Sequence, residues 1–305
     1  MQLFHNHVGI NFSESKLQLV EISYKDNSFY LENVDQLILK ESLMPDMGGS
    51  KLINILQEAF NKFTQKNNIT SIYFSFSLPN NFFRIFEVPY DNTLTKKDLA
   101  EHFKWERSLL FPVNDDEYLI QYVEVNKSSI RKDAKAIVFA LSKRIVETLH
   151  GFCKQSGFEL KYIDNAHLSS NSFLHLFKNF TKDEITLSIY VDQNSSSVAA
   201  IEGSHPFFFK TIPRTERSFF DELDIAIDQL RKINVEPDKI GRVLLSGQSV
   251  TEEFSNKISS RLGSSIIKTN PFEKLLVEER LKNNPLYISQ YNSFTAAAGI
   301  AIRII

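Results

Sequence analysis

Cysteine is almost absent from this chain. Cys153 stands alone among 305 residues, so no internal disulfide can form and a reducing compartment is expected. Ile145, Val146, Leu149 and Phe152 fall on one helical face with it, the pattern of a buried structural thiol rather than a reactive one. Long hydrophobic runs are missing as well. No apolar stretch reaches the ~18 residues that a spanning helix needs. The opening MQLFHNHVGI lacks a basic region ahead of an apolar core and does not read as a signal peptide. A membrane role would have to be borrowed from a partner. Neither sign of charge dominates: 35 basic and 37 acidic residues nearly cancel, which gives no support to a nucleic-acid or anionic-membrane surface as the main partner. Only 10 glycines occur, about half the average usage of ~7%. That scarcity bears on function, because loops that cradle phosphate with their backbone need residues without a Cβ.

Metal and nucleophile patterns are also lacking. His5, His7, His102, His150, His167, His175 and His205 are scattered, with no carboxylate or cysteine at ligand spacing, so no metal site is expected. No Ser-His-Asp or Cys-His grouping is recognisable from local sequence. With 42% hydrophobic and 24% charged residues, the chain reads as soluble and globular, long enough for two domains of ordinary size.

What is present is a repeated sentence. Leu187 to Pro213 (LSIYVDQNSSSVAAIEGSHPFFFKTIP) gives a strand ending at Asp192, a polar turn Gln193 to Ser197, a return strand Val198 to Ile201, a turn Gly203 to Pro206 and a third strand Phe207 to Ile212. The N-terminus repeats it: Val8 to Phe12, a turn Ser13 to Ser15, Leu17 to Ser23, a turn Lys25 to Ser28, and Phe29 to Asn33. Two copies of one meander predict two related lobes facing each other. Around them, apolar spacing at Leu52, Ile53, Leu56, Phe60 and Phe63 predicts a helix over Lys51 to Lys66. Strands are expected at Val34 to Leu39, Ser71 to Leu78 and Phe82 to Val88.

From Asp91 the texture changes. A helix capped by Thr93 or Thr95 and ended by Pro112 is followed by strands Tyr118 to Val125 and Ala136 to Leu141. A helix from Ser142 to Ser156, stopped by Gly157, and a strand Phe158 to Ile163 complete the unit. Asn165 to Phe180, Glu216 to Ile233 and Asn292 to Ile304 have helical apolar spacing. The expected organisation is a first lobe from 1–90 plus 164–183, an inserted α+β subdomain over 91–163, and a second lobe over 184–305.

Read in order, these segments resemble the PilM family of cytoplasmic actin-like proteins of type IV pilus assembly, over nearly the whole chain. VGINFSESKLQLVEIS is similar to that family's first phosphate hairpin, and VDQNSSSVAAIEGSHPFFFKTIP to its second. RVLLSGQS is similar to its adenosine-side loop and NSFTAAAGIAIR to its closing helix. FRIFEVPY with LAEHFKWERSLLFPVNDDEYLIQYVEV, then AIVFALSKRIVETLHGFCKQSGFELKYIDNAHLSS, resemble its inserted subdomain and the return into lobe one. The resemblance implies an α/β, two-lobed actin-like ATPase fold with a small inserted α+β subdomain. It also implies a nucleotide in the cleft, a cytoplasmic location peripheral to the inner membrane, and binding of the cytoplasmic tail of an inner-membrane PilN-like partner.

The departures fall on the positions that would do chemistry. Asn11 stands where the family has Asp, Ser13 where it has Gly, and Gln18 where a basic residue is usual. An amide binds a hard cation far less well than a carboxylate does. In the second hairpin Asp192 remains, but the following glycine is Asn194. At the adenosine side the glycine cluster has become Gly247, Gln248 and Ser249. Only 26 residues separate Pro213 from Ile240, room for one helix, so the second lobe is expected to lack most of the family's helical insertion. The degenerate loops Asn11, Ser13, Ser15, Asp192, Asn194, Ser195, Ser196, Gly247 and Ser249 are therefore expected to hold no cofactor. Ser195 and Ser196 read equally as phosphate donors or as a plain serine-rich turn.

Trp105, with Phe103 and Leu109 beside it, is the candidate partner contact: a border of the core or an anchor for a peptide. Two functions follow. One is a scaffold that holds a membrane partner's tail without ATP hydrolysis, with self-association left open. The other is an active Mg-ATP enzyme, an ATPase or kinase of the same superfamily, for which Asp164 and Asp192 are the available carboxylates.

Overall fold

The computed structural model describes residues 4, 6–91, 93–111, 117–125, 133–176, 184–193, 195–203, 205–213, 219–248 and 250–303. The first meander is β1 (His7–Phe12), β2 (Lys16–Lys25) and β3 (Ser28–Ile38). β3 is one continuous strand, so the two strands expected at 29–33 and 34–39 are a single one. Its full length pairs with β2, and an irregularity between Glu21 and Ile22 absorbs the slip. Helix α1 (Gly49–Lys66) buries Leu52, Leu56, Ala59 and Phe63; of the expected stripe, Leu52, Leu56 and Phe63 are buried, while Ile53 and Phe60 are partly buried at its edge and pack on the core. It leads to β4 (Tyr73–Leu78) and, past a 3₁₀ turn at Asn80–Phe82, to β5 (Phe83–Pro89).

Helix α2 (Lys96–Leu110) starts at Thr95, whose side chain accepts the Asp98 N–H. Strands β6 (Tyr118–Val125) and β7 (Lys135–Ser142), helix α3 (Lys143–Gln155), strand β8 (Glu159–Asn165) and helix α4 (Ala166–Asn171) follow. The second meander is β9 (Ile185–Val191), β10 (Ser195–Glu202) and β11 (His205–Pro213). Then come α5 (Phe219–Lys232), β12 (Ile240–Gly247), α6 (Glu252–Leu262), β13 (Ile266–Lys268), β14 (Leu276–Val277), α7 (Glu279–Lys282), α8 (Pro285–Ile288) and α9 (Thr295–Ala301).

Among the described residues the strands form three sheets. The first runs β14-β3-β2-β1-β4-β8 and the second β11-β10-β9-β12-β13. Apart from β14 the two have the same order: an antiparallel meander whose first strand then takes two parallel neighbours. The repeat seen in the sequence is thus a repeat of topology. The third sheet is β5-β7-β6.

Strand pairing divides the middle of the chain differently from the sequence reading. β5, expected in the first lobe, pairs along its length with β7 in the small sheet. β8, expected to close the insertion, pairs in parallel with β4, and Ile145, Leu149 and Phe152 of α3 join the main core. The C-terminal segment also differs from the expected second lobe, because β14 pairs with β3 and α9 lies on β1. A Cβ on Gly9 would sit 2.1 Å from the Ala297 carbonyl oxygen, and one on Gly299 1.7 Å from that of Ser169. α9 therefore wedges between β1 and α4 at backbone contact. The expected helices over 165–180 and 292–304 are shorter: α4 and α9 continue from or into 3₁₀ turns, Ser172–Leu176 and Tyr291–Phe294. Residues 177–180, 216–218 and 304 of the expected helices lie outside the described residues.

One core runs through both large sheets and the inner face of the small one, from Val8 and Phe76 through Phe139 to Leu187 and Phe209. A second, smaller core of Phe86, Val88, Leu99, Phe103, Ala136, Val138 and Ala140 lies under α2. Cys153 is buried, and burial pushes its thiol pKa up to about 12, as an inert structural thiol requires. No helix among the described residues is long and apolar enough to cross a membrane.

Candidate functional site: the crevice between the lobes

The first turns of the two meanders close in the same way. The Ser13 N–H donates to the Lys16 carbonyl at 2.9 Å, and the Asp192 N–H to the Ser195 carbonyl at 3.1 Å. Those two amides are spent inside their own turns. The Ser13 hydroxyl also turns back to the Lys16 carbonyl, at 3.3 Å. By this bond Asp192 matches Ser13, while Asn11 lies two residues earlier on its strand. The first turn is fastened from outside by the Leu39 N–H on the Ser15 carbonyl and the Leu43 N–H on that of Glu14.

Gly247, at the end of β12, has φ +100°, and a Cβ there would lie 2.2 Å from the Val191 carbonyl oxygen. Only glycine satisfies both conditions. The close approach lets the Gln248 N–H donate to Val191 O at 2.7 Å, docking this loop onto the second hairpin. Asn194 and Ser249 lie outside the described residues.

Between the turns the crevice is filled with side chains. Ser77 Oγ donates to Asn11 Oδ1 at 2.9 Å, Asn11 Nδ2 to Gln18 Oε1 at 3.1 Å, and Gln18 Nε2 to Ser293 Oγ at 3.0 Å. Gln248 Nε2 approaches the same Gln18 oxygen at 3.5 Å, long for a hydrogen bond. Asn11 and Gln18 are 0% exposed and Gln248 2%. Two atoms here, Gln248 Oε1 and the Tyr190 hydroxyl beside Asn11, have no well-formed partner.

A second network lies deeper. Asn80 Nδ2 donates to Ser197 Oγ at 3.1 Å, and His167 Nδ1 and Nε2 bond Ser197 at 2.8 Å and Ser188 at 2.9 Å. Asn165 caps α4 through the His167 and Leu168 N–H groups and holds Asn80 through its own amide, at 2.9 Å. His167 is fully buried and stacks on Tyr190 at 5.7 Å. Burial pushes its pKa down to about 3, so the ring is neutral.

Asp192 is 8% exposed. Burial raises its pKa to about 6, against the Gln193 N–H at 2.8 Å and the Lys16 ammonium across the crevice, with Glu14 adding to the rise. Burial in turn lowers the pKa of Lys16, which Asp192 partly restores.

These groups do not fit a magnesium–triphosphate. Magnesium held with a nucleotide takes phosphate oxygens, waters and one or two ionised carboxylates; the carboxylate at this crevice, Asp192, has its charged form disfavoured by burial and one oxygen on the Gln193 N–H. The spare atom on Gln248 is an acceptor, which cannot bond phosphate oxygens. Ser195 and Ser196 are buried at 9% and 8% exposure, and Ser197 is committed to Asn80 and His167. Asp164, the other carboxylate nominated for an enzyme, is buried against Arg303 and accepts the Asn165 N–H at 2.8 Å, a structural pairing that leaves it poorly placed as a base.

The partner candidates separate. Trp105 and Leu109 are 56% and 58% exposed on the outer face of α2, while Phe103 is 0% exposed and packs on Tyr122 at 4.8 Å. Phe103 is corrected to a core residue: the helix face that carries Leu99 turns it onto the sheet. Leu110, which the spacing from Leu99 and Phe103 also puts on that face, is 51% exposed. Sequence reasoning did not find His167, Asn80, Asn165 or Ser188. The only signal was a run of polar residues, Asn165, His167, Ser169 and Ser170, where α4 crosses the core, and nothing in it names partners elsewhere in the chain. It also missed a crevice of about 440 Å³ where Gln121, Tyr122 and Val123 of β6 face Asp164, Leu168, Leu174, Ile201, Pro206 and Arg303.

No family model matches the chain, and no curated protein sequence matches it. Among solved structures it is similar to a PilM–PilN type IV pilus biogenesis complex, with 16% identity and a TM-score of 0.71 over 99% of each chain. A protein of unknown function with an actin-like ATPase fold from Bacteroides thetaiotaomicron is similar at 11% identity and a TM-score of 0.52, over 98% of each chain. The cytoplasmic domain of EpsL, an inner-membrane component of the type II secretion system of Vibrio cholerae, matches at 10% identity and a TM-score of 0.48, over 79% and 81% of the two chains. The chain has the mixed α/β actin-like ATPase fold.

Proposed function

We propose that this chain is a cytoplasmic adaptor of a type IV pilus-like or related secretion assembly machine, peripheral to the inner membrane, which holds the cytoplasmic tail of a PilN-like membrane partner without hydrolysing ATP. The observation that carries the reading is the end-to-end likeness to one chain of a PilM–PilN complex, joined to a crevice filled by Asn11, Gln18, Ser77 and Ser293, which bond one another. The first supports the kind of partner, the second the absence of turnover.

The small sheet supplies the surfaces a tail would use. β6 is an edge strand of its sheet, able to take an extended peptide through backbone hydrogen bonds, with the neighbouring crevice as a pocket for side chains. Trp105 and Leu109 offer an exposed apolar pair on α2, of the kind that anchors peptides.

The experiment is a titration with synthetic peptides of the N-terminal cytoplasmic tails of PilN-like inner-membrane proteins, followed by the fluorescence of the single tryptophan and by calorimetry. Micromolar binding by one tail, with no ATP turnover by the purified protein, is expected. Turnover that Asp192→Ala abolishes would favour the enzyme instead.

A further inference from the structure

A ligand that touches both lobes of a two-lobed protein ties them together, and without it the lobes are free to move. Here the chain makes those ties itself, at three places. At the turns, Gln18 of the first sheet approaches Gln248 of the second at 3.5 Å, long for a hydrogen bond, and Asn292, just ahead of α9, donates its Nδ2 to the Leu245 carbonyl of β12 at 2.7 Å. Deeper, Asn80 and His167 of the first lobe grip Ser197 and Ser188 of the second at 2.8 to 3.1 Å. At the rim, Phe139 of the small sheet packs edge-on against Phe209 of β11, 5.2 Å between centroids. Asn80, His167, Ser188 and Ser197 are all buried, as are Gln18 and Gln248. Parting the lobes would expose an apolar core and leave these groups unpaired until water reached them, a cost that rises with every group in the network.

We infer that closure of the lobes is built into this chain: the side-chain amides and His167 do the bridging that a nucleotide does in a crevice that binds one. This goes beyond the absence of ATP turnover, since a chain that cannot bind ATP could still open and close freely.

The test measures the distance between spin labels on Gln65→Cys and Asn256→Cys, exposed positions on α1 and α6. The native Cys153 is buried and stays unlabelled. A narrow distribution that millimolar Mg-ATP leaves unchanged, and that broadens in an Asn80→Ala/Gln248→Ala variant, is expected. A distribution already broad, one narrowed by Mg-ATP, or a variant as narrow as the parent overturns the inference. Where the double variant does not fold, Asn80→Ser with the same labels decides, since Asn80 Nδ2 donates across the lobes to Ser197 Oγ at 3.1 Å: a broadened distribution supports the lock and one as narrow as the parent's overturns it. A broad distribution without ATP turnover would end the locked-lobe inference and leave the adaptor reading standing.

Discussion

The Nδ1 of His167, on α4 in the first lobe, lies 2.8 Å from the hydroxyl of Ser197, on β10 in the second, while its Nε2 bonds Ser188. Both serines can reorient to suit a neutral ring, but a protonated ring, with two donors and no carboxylate in either bond, would be a buried charge.

Acid should therefore act on this site. The folded-state pKa of His167 is about 3 against an ordinary 6.5, so below pH 6.5 the unfolded chain takes up a proton that the folded one refuses. Its contribution is fully present above pH 6.5 and is lost as pH falls toward 3, by up to about 1.4 kcal/mol per pH unit. Urea unfolding of a His167→Gln variant should show a shallower loss of stability between about pH 6.5 and pH 4 than the parent. Parallel profiles would mean that His167 does not titrate as the burial requires.

Asp192 works in the opposite direction. Its folded pKa is raised to about 6 from 3.8, so the folded state holds its proton more tightly, and the stability this contributes is present below pH 3.8 and lost as pH rises through 6. Between those values it offsets His167. Asp192→Asn should stabilise the protein by about 1–3 kcal/mol at neutral pH and steepen the acid loss, both read from the same urea series. Destabilisation at neutral pH would mean that the carboxylate has a partner worth more than its burial costs.

The crossing of α9 over α4 gives a stability prediction with its own control. At Gly299 an added Cβ would meet the Ser169 carbonyl oxygen at 1.7 Å and its carbon at 2.7 Å. Backbone cannot swing aside as a side chain can, so Gly299→Ala should cost about 3 kcal/mol or more. Gly48, the N-cap of α1 with nothing within 4 Å of a built Cβ, should accept alanine at a cost of about 1 kcal/mol or less. Equal denaturation midpoints for the two variants would mean that the helices are not packed at backbone contact.

Much of this arrangement was legible in the sequence, for identifiable reasons. The meanders announce themselves through period-2 runs and turn residues, and α1 and α3 through their stripes. The alanines of α9 promise close packing, which Gly9 and Gly299 deliver. What the sequence hid is pairing at a distance. β5 and β8 read as strands, yet no local feature says which sheet each joins, because Phe83–Leu141 and Tyr73–Glu159 are neighbours only across the fold. In the crevice, Asn11, Gln18 and Gln248 were legible as departures from a pattern. That Asn11 and Gln248 converge on one oxygen of Gln18 was not, since residues 11, 18 and 248 share no spacing.

The nucleotide can be addressed directly. A site with Kd of about 10 µM would gain about 2.7 kcal/mol at 1 mM Mg-ATP, which raises the melting temperature by a few degrees or more. Thermal unfolding of this protein with and without 1 mM Mg-ATP should differ by less than about 1 °C. A rise of several degrees would restore the crevice as a ligand site.

Trp105 and Phe103 sit two residues apart on α2 and should behave in opposite ways. Phe103, fully buried among Val88, Leu99 and Val138, is a core side chain, and Phe103→Ala should cost about 3–5 kcal/mol. Trp105 is 56% exposed, its ring stacked on His102 at 6.2 Å. Trp105→Ala should therefore leave the midpoint of unfolding within about 0.5 kcal/mol of the parent. If α2 presents Trp105 to a membrane partner's tail, the same change should weaken tail binding by about tenfold or more, the scale of an interface hot spot. Leu109, one turn further along and also exposed, should lose a smaller factor. A stable Trp105→Ala protein that binds the tail as well as the parent would clear α2 from the contact. The edge of β6 would then be the surface to probe, since it lies on the same sheet but depends on neither side chain.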